Sequence, residues 1–478
     1  MEFDLNKRYC FYFNEIAKIP HGSYNEKAIS DYVVSFAKER GFKCIQDDVF
    51  NVVVYKEASE GYEDSAPLLI QAHMDMVCES NKGTDHDFEK DPLDLFVDED
   101  GWLNARGTTL GADDGTGVAY MLAILEDDTL PHPPLECCFT VQEEVGLLGS
   151  MELKPEYFTA KRMISLDGGG EIRTCISSAG GTRVRSTIEG ELVDNDDPTY
   201  DLAVGGLAGG HSGGEIHKEK GNANALAVRI IKEMQLAGIE LNVVSIVGGL
   251  KDNAIPRECD IVFSSSADPD EIQAKLNASR AAIAEELEFS DAGFKAEITA
   301  VDKAEKKFTS ADTERIINYL FLLPNGFRHR SMAIEGLTLT SLNLGIIRTE
   351  GAKVVATDSL RSAIASGISN LVNIMKTLAG IFNVNIELSA AYPGWNYAPK
   401  SELRDKLAVV LQNELGVELT CEAAHGGNEC GVFNSLGVTD IVTYGPVTEA
   451  IHTPDERLDL ASFDRSYKVL TGLIKECK

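Results

Sequence analysis

The sequence lacks the features that mark several classes of protein. None of its ten cysteines forms a CxxC pair, no Lys/Arg-rich run offsets a net charge of −32, and no stretch of ~20 apolar residues occurs. The cysteine pattern argues against a disulfide scaffold and indicates free thiols in a reducing compartment. The negative charge would repel phosphate backbones and anionic lipid, so neither nucleic acid nor a membrane is an expected partner.

Motifs for nucleotide binding and secretion are missing as well. The glycine-rich runs GGLAGGHSGG and DGGG follow neither the GxGxxG nor the GxxxxGK(S/T) pattern. The N-terminal stretch MEFDLNKRYCFYFNEIAKIP has no basic segment followed by an unbroken apolar one. We therefore expect a soluble, cytoplasmic protein.

Short apolar runs alternate with helical patterns in the first part of the chain. The runs NVVVYK, APLLIQAHMD, LECCFTVQ and RMISLDG are typical of buried strands, and helices are predicted over residues 6–17 and 25–40. A further helix is predicted within GADDGTGVAYMLAILED, because its apolar residues recur at helical spacing. This alternation predicts an α/β domain with a sheet covered on both sides.

A different pattern begins near residue 184. The chain of 478 residues exceeds the ~250–300 residues at which one hydrophobic core stops growing, so two domains are expected. In residues 184–391 the order strand, strand, helix, strand occurs twice, which predicts duplicated α+β units. The α/β pattern then returns, with helices predicted at residues 400–415 and 464–476. Residues 184–391 are thus expected to be a domain inserted between residues 1–183 and 392–478 of the first.

Acidic and imidazole side chains collect where the predicted strands end. Ligands of parallel α/β sheets bind beyond the carboxyl ends of the strands. The candidates there are His73, Asp75, Asp113, Asp114, Glu143, Glu144, Asp167 and His452. Simpler explanations exist, because one of the paired aspartates can cap a helix, Asp167 can begin a turn, and two glutamates can be a solvated strand end.

The spacing of these residues fits a metal site. Asp75 follows His73 by two residues on a strand, so its carboxylate is expected to accept a hydrogen bond from the ring and orient it. On a strand Glu143 and Glu144 would point to opposite sides, so one can bind metal while the other takes a proton from water. Two imidazoles and at least three carboxylates suit two zinc ions that share one aspartate, with Co²⁺ or Mn²⁺ as substitutes. Such a pair of cations predicts amide hydrolysis without a covalent intermediate.

These residues lie in motifs that resemble a known family. HMD, GADDGTG, QEEVGLLGS, GGHSGGEIH, NAIP, AYPGW, GGNECGVF and HTPDE occur in the order found in M20 metallopeptidases, specifically their Xaa-His (aminoacyl-histidine) dipeptidase branch. The resemblance spans nearly the whole chain. It implies a zinc-peptidase-like catalytic domain with a mixed, mainly parallel sheet between helices, an inserted lid domain, and hydrolysis of unblocked dipeptides, Xaa-His among them.

The resemblance also implies how the metal ligands are shared. His73 and Asp167 would bind one zinc ion, and Glu144 and His452 would bind the other. Asp113 would bridge the two ions.

Further roles follow from the same resemblance. Glu143 would be the general base and acid, and Asp75 would orient His73. In the lid, His211 would stabilise the oxyanion, Arg361 would hold the terminal carboxylate of the substrate, and Asn253 would contribute to substrate binding. Taken without the family, a histidine in a glycine-rich loop is more simply a turn residue, and the NxIP motif around Asn253 can instead shape a turn.

Two positions depart from the general family pattern. Gly115 stands where many M20 enzymes have lysine, and the resemblance to the dipeptidase branch accounts for it, because that branch also has an uncharged segment there. Residues 168–170 are glycines where relatives often carry acids, and this departure leaves specificity open. Tripeptide aminopeptidase activity, N-acyl amino acid deacylase activity and an inactive binding protein are the alternative functions. A monomer and a homodimer formed through the lid both remain open.

Overall fold

Two units divide the chain, and each has its own hydrophobic core. The computed structural model describes residues 3–478. Unit 1 comprises Met1–Ser178, Trp395–Ala423 and Asn428–Lys478, and unit 2 comprises Ala179–Gly394 and Ala424–Gly427. The segment expected to be inserted, residues 184–391, lies within unit 2.

The helices follow the apolar periodicity of the sequence. Those within residues 3–478 are α1 (Arg8–Ile16), α2 (Lys27–Glu39), α3 (Ala112–Glu126), α4 (Ala223–Leu236), α5 (Pro269–Glu286), α6 (Ser310–Leu322), α7 (Ala365–Phe382), α8 (Glu402–Leu415), α9 (Glu429–Ser435) and α10 (Leu460–Glu476). The last helix begins at Leu460 rather than at residue 464, because the Asp459 side chain accepts the N–H of Ala461 and caps it there. Within residues 3–478 no helix is both long enough and apolar enough to cross a bilayer.

Unit 1 is built on a six-stranded mixed sheet. The strands of unit 1 as a whole are β1 (Lys43–Gln46), β2 (Val52–Lys56), β3 (Leu68–His73), β4 (Leu95–Val97), β5 (Trp102–Ala105), β6 (Leu135–Thr140), β7 (Arg162–Ser165) and β8 (Arg173–Cys175), followed after unit 2 by β22 (Thr420–Glu422), β23 (Asp440–Thr443), β24 (Thr448–Glu449) and β25 (Arg457–Asp459). Strands β8 and β22 form a separate pair, and β24-β25-β5-β4 form a separate four-stranded sheet. The order in the six-stranded sheet is β1-β2-β6-β3-β7-β23. Strands β6, β3, β7 and β23 are parallel, whereas β1 and β2 join antiparallel, so the sheet is mixed.

The central strands explain where a site can form. Every residue of β3 and β6 is buried, and helix α3 packs against β3. Continuous apolar runs such as LLIQAH and LECCFT are typical of strands covered on both faces. Because β3, β6 and β7 are parallel, the residues that end or follow these strands meet at one edge of the sheet.

Unit 2 contains a nine-stranded antiparallel sheet with a repeated order. The strands of unit 2 as a whole are β9 (Gly180–Glu189), β10 (Leu192–Asp194), β11 (Thr199–Gly205), β12 (Gly210–His211), β13 (Asn242–Gly248), β14 (Ala254–Ile255), β15 (Cys259–Ser264), β16 (Lys295–Val301), β17 (Lys306–Phe308), β18 (Gly326–Arg330), β19 (Thr338–Glu350), β20 (Lys353–Ser362) and β21 (Asn385–Tyr392). Strands β10 and β17 form a separate pair, and so do β12 and β14. Eight strands follow the order β16-β11-β15-β13-β19-β20-β9-β21, and β18 pairs with β19. From the centre outward, β13-β15-β11-β16 mirrors β19-β20-β9-β21. Helix α5 precedes β16 as α7 precedes β21, so the repeat expected from the sequence is present.

Candidate metal centre

Six of the predicted side chains come together at the carboxyl edge of the unit 1 sheet. Potential ligand atoms lie within 4.8 Å of one another in three groups, which are His73 with Asp113 and Asp167, Asp113 with Glu144 and His452, and His73 with Glu143 and Glu144. These residues come from five separate segments of the sequence. Asp113 belongs to two of the groups, as do His73 and Glu144, so the groups overlap at these three residues.

The carboxylate of Asp113 contacts members of two of these groups. Its Oδ1 lies 3.1 Å from Nε2 of His73, and its Oδ2 lies 3.4 Å from Nε2 of His452. The same nitrogen of His452 is 2.9 Å from Oε1 of Glu144. The two oxygens of one carboxylate therefore face two different imidazoles.

The start of helix α3 separates the roles of the paired aspartates. Gly111 adopts a left-handed conformation with φ 67°, and both Asp113 and Asp114 have non-helical backbone angles. Oδ1 of Asp114 accepts the N–H of Gly117 at 3.1 Å, which is a capping contact. The capping explanation thus applies to Asp114, and the Asp113 carboxylate is left for the site.

The paired glutamates do not alternate as a strand would require. Strand β6 ends at Thr140, and Gln142 has a positive φ of 54°, so Glu143 and Glu144 lie in a turn. Both carboxylates lie beside His73, and the prediction that they point to opposite sides is wrong for this reason. The run of apolar residues predicted strand β6, but it did not predict that the strand ends at Thr140.

Asp75 orients this turn more directly than it orients the imidazole. Its carboxylate accepts the N–H groups of Glu143 at 3.0 Å and Glu144 at 3.2 Å, and the hydroxyl of Ser23 at 2.8 Å. Nδ1 of His73 instead donates to the backbone oxygen of Asp75 at 2.9 Å, and the carboxylate lies 3.5 Å away. The ring thus contacts both the carbonyl oxygen and the side chain of Asp75, and the contact with the carbonyl is the shorter one. Ser23 was not predicted, because no spacing in the sequence connects it to Asp75.

The acids of this site are crowded and have no Lys or Arg partner within residues 3–478. Burial and the neighbouring Asp113 raise the pKa of Asp167 to about 7, and burial raises the pKa of Glu143 well above its ordinary value. Hydrogen bonds to Asp113 and Glu144 raise the pKa of His452 to about 10. These shifts reflect a concentration of negative charge that divalent cations would offset.

The chemistry of the donors fits such cations. Imidazole nitrogens and carboxylate oxygens, without a thiolate, form the mixed set that suits zinc and related divalent metals. Two groups of such ligand atoms overlap at Asp113, so this edge of the sheet can hold divalent metal.

The predicted substrate-binding residues His211 and Asn253 lie together in unit 2. Both line a cavity of about 530 Å³, and His211 in β12 pairs with Ala254 in β14. Nδ1 of His211 accepts the N–H groups of Gly213 and Gly214 at 3.2 and 3.1 Å. Burial and the positive charge of Arg361 lower the pKa of His211. A neutral ring with Nδ1 as acceptor carries its proton on Nε2, which makes Nε2 a hydrogen-bond donor.

Arg361 is a buried guanidinium without an acidic partner among the described residues. Only 8% of the residue is exposed, its Nε has no hydrogen-bond partner, and one terminal nitrogen donates to the Tyr392 hydroxyl at 3.2 Å. Across the sheet Arg361 pairs with Ser341 of β19, whose hydroxyl lies 2.7 Å from Nε2 of His425. A buried cation with spare donors is suited to bind an anion.

Tyr392 and His425 were not assigned a role from the sequence. Tyr392 stands in the motif AYPGW and His425 directly precedes the motif GGNECGVF, but the spacing of these motifs does not connect the two residues to Arg361 or Ser341. Their partners lie 31 and 84 residues away along the chain.

Comparisons with known proteins show which family the chain resembles in sequence and in fold. Residues 69–476 match the sequence model of peptidase family M20/M25/M40. The chain is 35% identical over 474 residues to the cytosol non-specific dipeptidase of Escherichia coli K12, a match covering 97% of this chain and 96% of that protein. The crystal structure of aminoacylhistidine dipeptidase from Vibrio alginolyticus aligns with a TM-score of 0.91 and 32% identity, covering 98% and 96% of the two chains. Aminopeptidase PepT from Bacillus cereus shares the fold, with a TM-score of 0.58 at 16% identity.

An α/β sheet edge with two overlapping groups of imidazoles and carboxylates, in a fold shared with peptidases, defines a metal-dependent peptide hydrolase. More particularly, the chain belongs to peptidase family M20/M25/M40.

Proposed function

We propose that the protein is a dipeptidase with two zinc ions and that it hydrolyses unblocked dipeptides, Xaa-His among them. The observation that carries this proposal is the position of Asp113, whose two oxygens face His73 and His452. The names of the relatives from E. coli and V. alginolyticus support dipeptides as the substrate class. The name of the E. coli relative, cytosol non-specific dipeptidase, also supports a cytoplasmic location.

Five residues would hold the two cations. His73 and Asp167 would bind one, Glu144 and His452 the other, and Asp113 both, in keeping with the two groups of ligand atoms. When bound, two divalent cations polarise a peptide carbonyl and lower the pKa of water.

Glu143 is proposed to move the proton. It belongs to neither of the groups that share Asp113, and its backbone N–H is held by Asp75 at 3.0 Å. Its carboxylate takes a proton from the attacking water as the carbon–oxygen bond forms. It then delivers that proton to the nitrogen of the departing amine as the carbon–nitrogen bond breaks.

Unit 2 is proposed to bind the substrate as a lid. Nε2–H of His211 would donate to the carbonyl oxygen on which negative charge develops, and the free guanidinium of Arg361 would bind the terminal carboxylate. Asn253, which lines the same cavity as His211, would add a polar contact to the substrate. A homodimer formed through this unit is the alternative to a monomer. Light scattering of the intact protein measures its molar mass and so distinguishes the two.

Replacement of Glu143 tests the proposed mechanism. The Glu143→Gln protein should still bind two zinc ions but lose about 10²–10⁴-fold in kcat, because only the proton acceptor is removed. Zinc content and dipeptide turnover are measured on the same preparation. Glu152→Gln, a change at an exposed glutamate of the following segment, should leave both unchanged. Near-normal turnover by the zinc-loaded Glu143→Gln protein would exclude this residue as the base.

A substrate panel tests the proposed specificity. Xaa-His, β-alanyl-histidine and glycyl dipeptides are compared with tripeptides and N-acyl amino acids under identical metal loading. We expect dipeptides to have a higher kcat/KM than tripeptides, because the proposed site binds a free carboxylate one residue beyond the scissile bond. N-acyl amino acids have their carboxylate at the same position, and the names of the relatives favour dipeptides over them. Preference for tripeptides or N-acyl substrates would contradict the dipeptidase assignment.

A further inference from the structure

The HTPDE motif contains a buried acid that the mechanism above does not use. Glu456 is 3% exposed and follows His452 by four residues. Its carboxylate accepts four consecutive backbone N–H groups, with Oε2 accepting from Leu110 at 2.8 Å and Gly111 at 2.9 Å, and Oε1 accepting from Ala112 at 2.9 Å and Asp113 at 3.3 Å. One side chain thus holds the whole turn that carries Asp113.

This turn needs an acceptor from outside itself. The first N–H groups of a helix have no partner within the helix, and here Gly111 is left-handed and Asp113 has non-helical angles. Leu110 and Ala112 are buried, so water does not supply the acceptors. Both oxygens of Glu456 are required, because each accepts two of the four N–H groups.

We propose that Glu456 is a positioning residue for the metal centre, which fixes the turn of Asp113 relative to the loop of His452. This inference rests on the proposed two-cation site. Asp113 and His452 come from distant parts of the chain, and their facing atoms are 3.4 Å apart. Glu456 joins the backbone of one to the loop of the other, so both ligands keep the spacing that a shared cation requires.

The variant Glu456→Gln separates this role from simple space filling. Glutamine has nearly the same size, but its NH₂ group would face two N–H donors, so two of the four hydrogen bonds are lost. We expect affinity for Zn²⁺ to fall about 10–100-fold, the usual effect of removing a group that orients metal ligands. The measurement is a titration of metal-free protein with Zn²⁺ against a chromophoric chelator. Wild-type affinity in a folded Glu456→Gln protein would overturn the proposal.

Glu449→Gln is the matched control. Glu449 lies in the same segment, is exposed, and pairs with Arg457 rather than with the turn of Asp113. Its replacement should leave Zn²⁺ affinity unchanged. Equal losses of affinity in both variants would show a general charge effect and contradict a positioning role for Glu456.

Amide hydrogen exchange tests the contact even where a variant fails to fold. In metal-free wild-type protein the amides of residues 110–113 should exchange slowly, because the carboxylate of Glu456 accepts all four. In folded Glu456→Gln protein these amides should exchange faster while those of α10 do not change. Fast exchange of residues 110–113 in the wild type would overturn the inference. A wild-type protein that binds zinc normally but cleaves no dipeptide would instead refute the proposed function alone.

Discussion

At the scale of single residues, the surroundings of Arg361 determine a prediction about the substrate carboxylate. The guanidinium has one hydrogen bond, to the Tyr392 hydroxyl, and no acidic partner among residues 3–478. Arg361→Lys keeps the charge but removes the planar fork that binds a carboxylate through two N–H groups. A hydrogen bond to a charged group contributes about 1.5–3 kcal/mol, so KM for dipeptides should rise about 10–150-fold. Steady-state kinetics with a dipeptide and its C-terminal amide measure this.

The discrimination between these two substrates is the decisive quantity. Wild-type protein should prefer the free acid over the amide, and Arg361→Lys should lose most of that preference. Arg185→Lys, the same change at an exposed arginine of β9, should retain it. Tyr392→Phe removes only the neutral hydrogen-bond partner of Arg361. A hydrogen bond of this kind contributes about 0.5–1.5 kcal/mol, so we expect a smaller loss of the preference for the free acid than in Arg361→Lys. Unchanged discrimination in Arg361→Lys would place carboxylate binding elsewhere.

At the scale of elements, strand β20 carries an acid on its buried face. Asp358 alternates with Ala356 and Leu360, which belong to the core of unit 2, and neither of its oxygens has a hydrogen-bond partner among the described residues. Burial raises the pKa of Asp358 well above its ordinary value. The folded protein therefore retains a proton that the unfolded chain releases above its own pKa.

The sign of this shift gives a pH dependence of stability. The contribution of the protonated acid is complete below the unfolded pKa of 3.8 and is lost as pH rises toward the raised folded pKa. In this window the contribution of Asp358 to the free energy of unfolding should fall by about 1.4 kcal/mol per pH unit. Asp358→Asn cannot titrate at this position, so its urea midpoint by far-UV circular dichroism should fall less than that of the wild type as pH rises above 3.8. The exposed change Glu335→Gln should keep the wild-type slope, and parallel slopes for wild type and Asp358→Asn would contradict the prediction.

The helices and strands that a local sequence pattern determines could be predicted from the sequence. Apolar runs located β3, β6 and β7, and helical periodicity located α3, so the sheet edge that gathers His73 and Asp167 followed from topology alone. The turn at Glu143 did not, because nothing local marks Thr140 as the end of β6. The contacts of Glu456 with residues 110–113 span more than 340 positions, and no spacing rule connects residues so far apart.

At the scale of the whole molecule, tryptophan reports on one unit only. The two tryptophans of the chain, Trp102 and Trp395, both belong to unit 1. Each unit has a separate core, as the clusters around Leu122 and Ile261 show. Fluorescence therefore follows the unfolding of unit 1, whereas far-UV circular dichroism follows both units.

Removal of metal should destabilise unit 1 selectively. All five proposed zinc ligands lie in unit 1, and folding brings them together, so bound zinc would stabilise the folded form of this unit. At free zinc about 100 times Kd the stabilisation is about 2.7 kcal/mol, which corresponds to about 5–10 °C for a domain of this size. Chelation should lower the tryptophan-detected melting temperature by this amount and leave a second transition, seen only by circular dichroism, in place. The combination Asp113→Asn with Asp167→Asn should melt at the chelated temperature with or without zinc, because the ligands themselves are changed. If neither chelation nor these substitutions changed the melting temperature detected by fluorescence, the cations would not bind at this edge of the sheet.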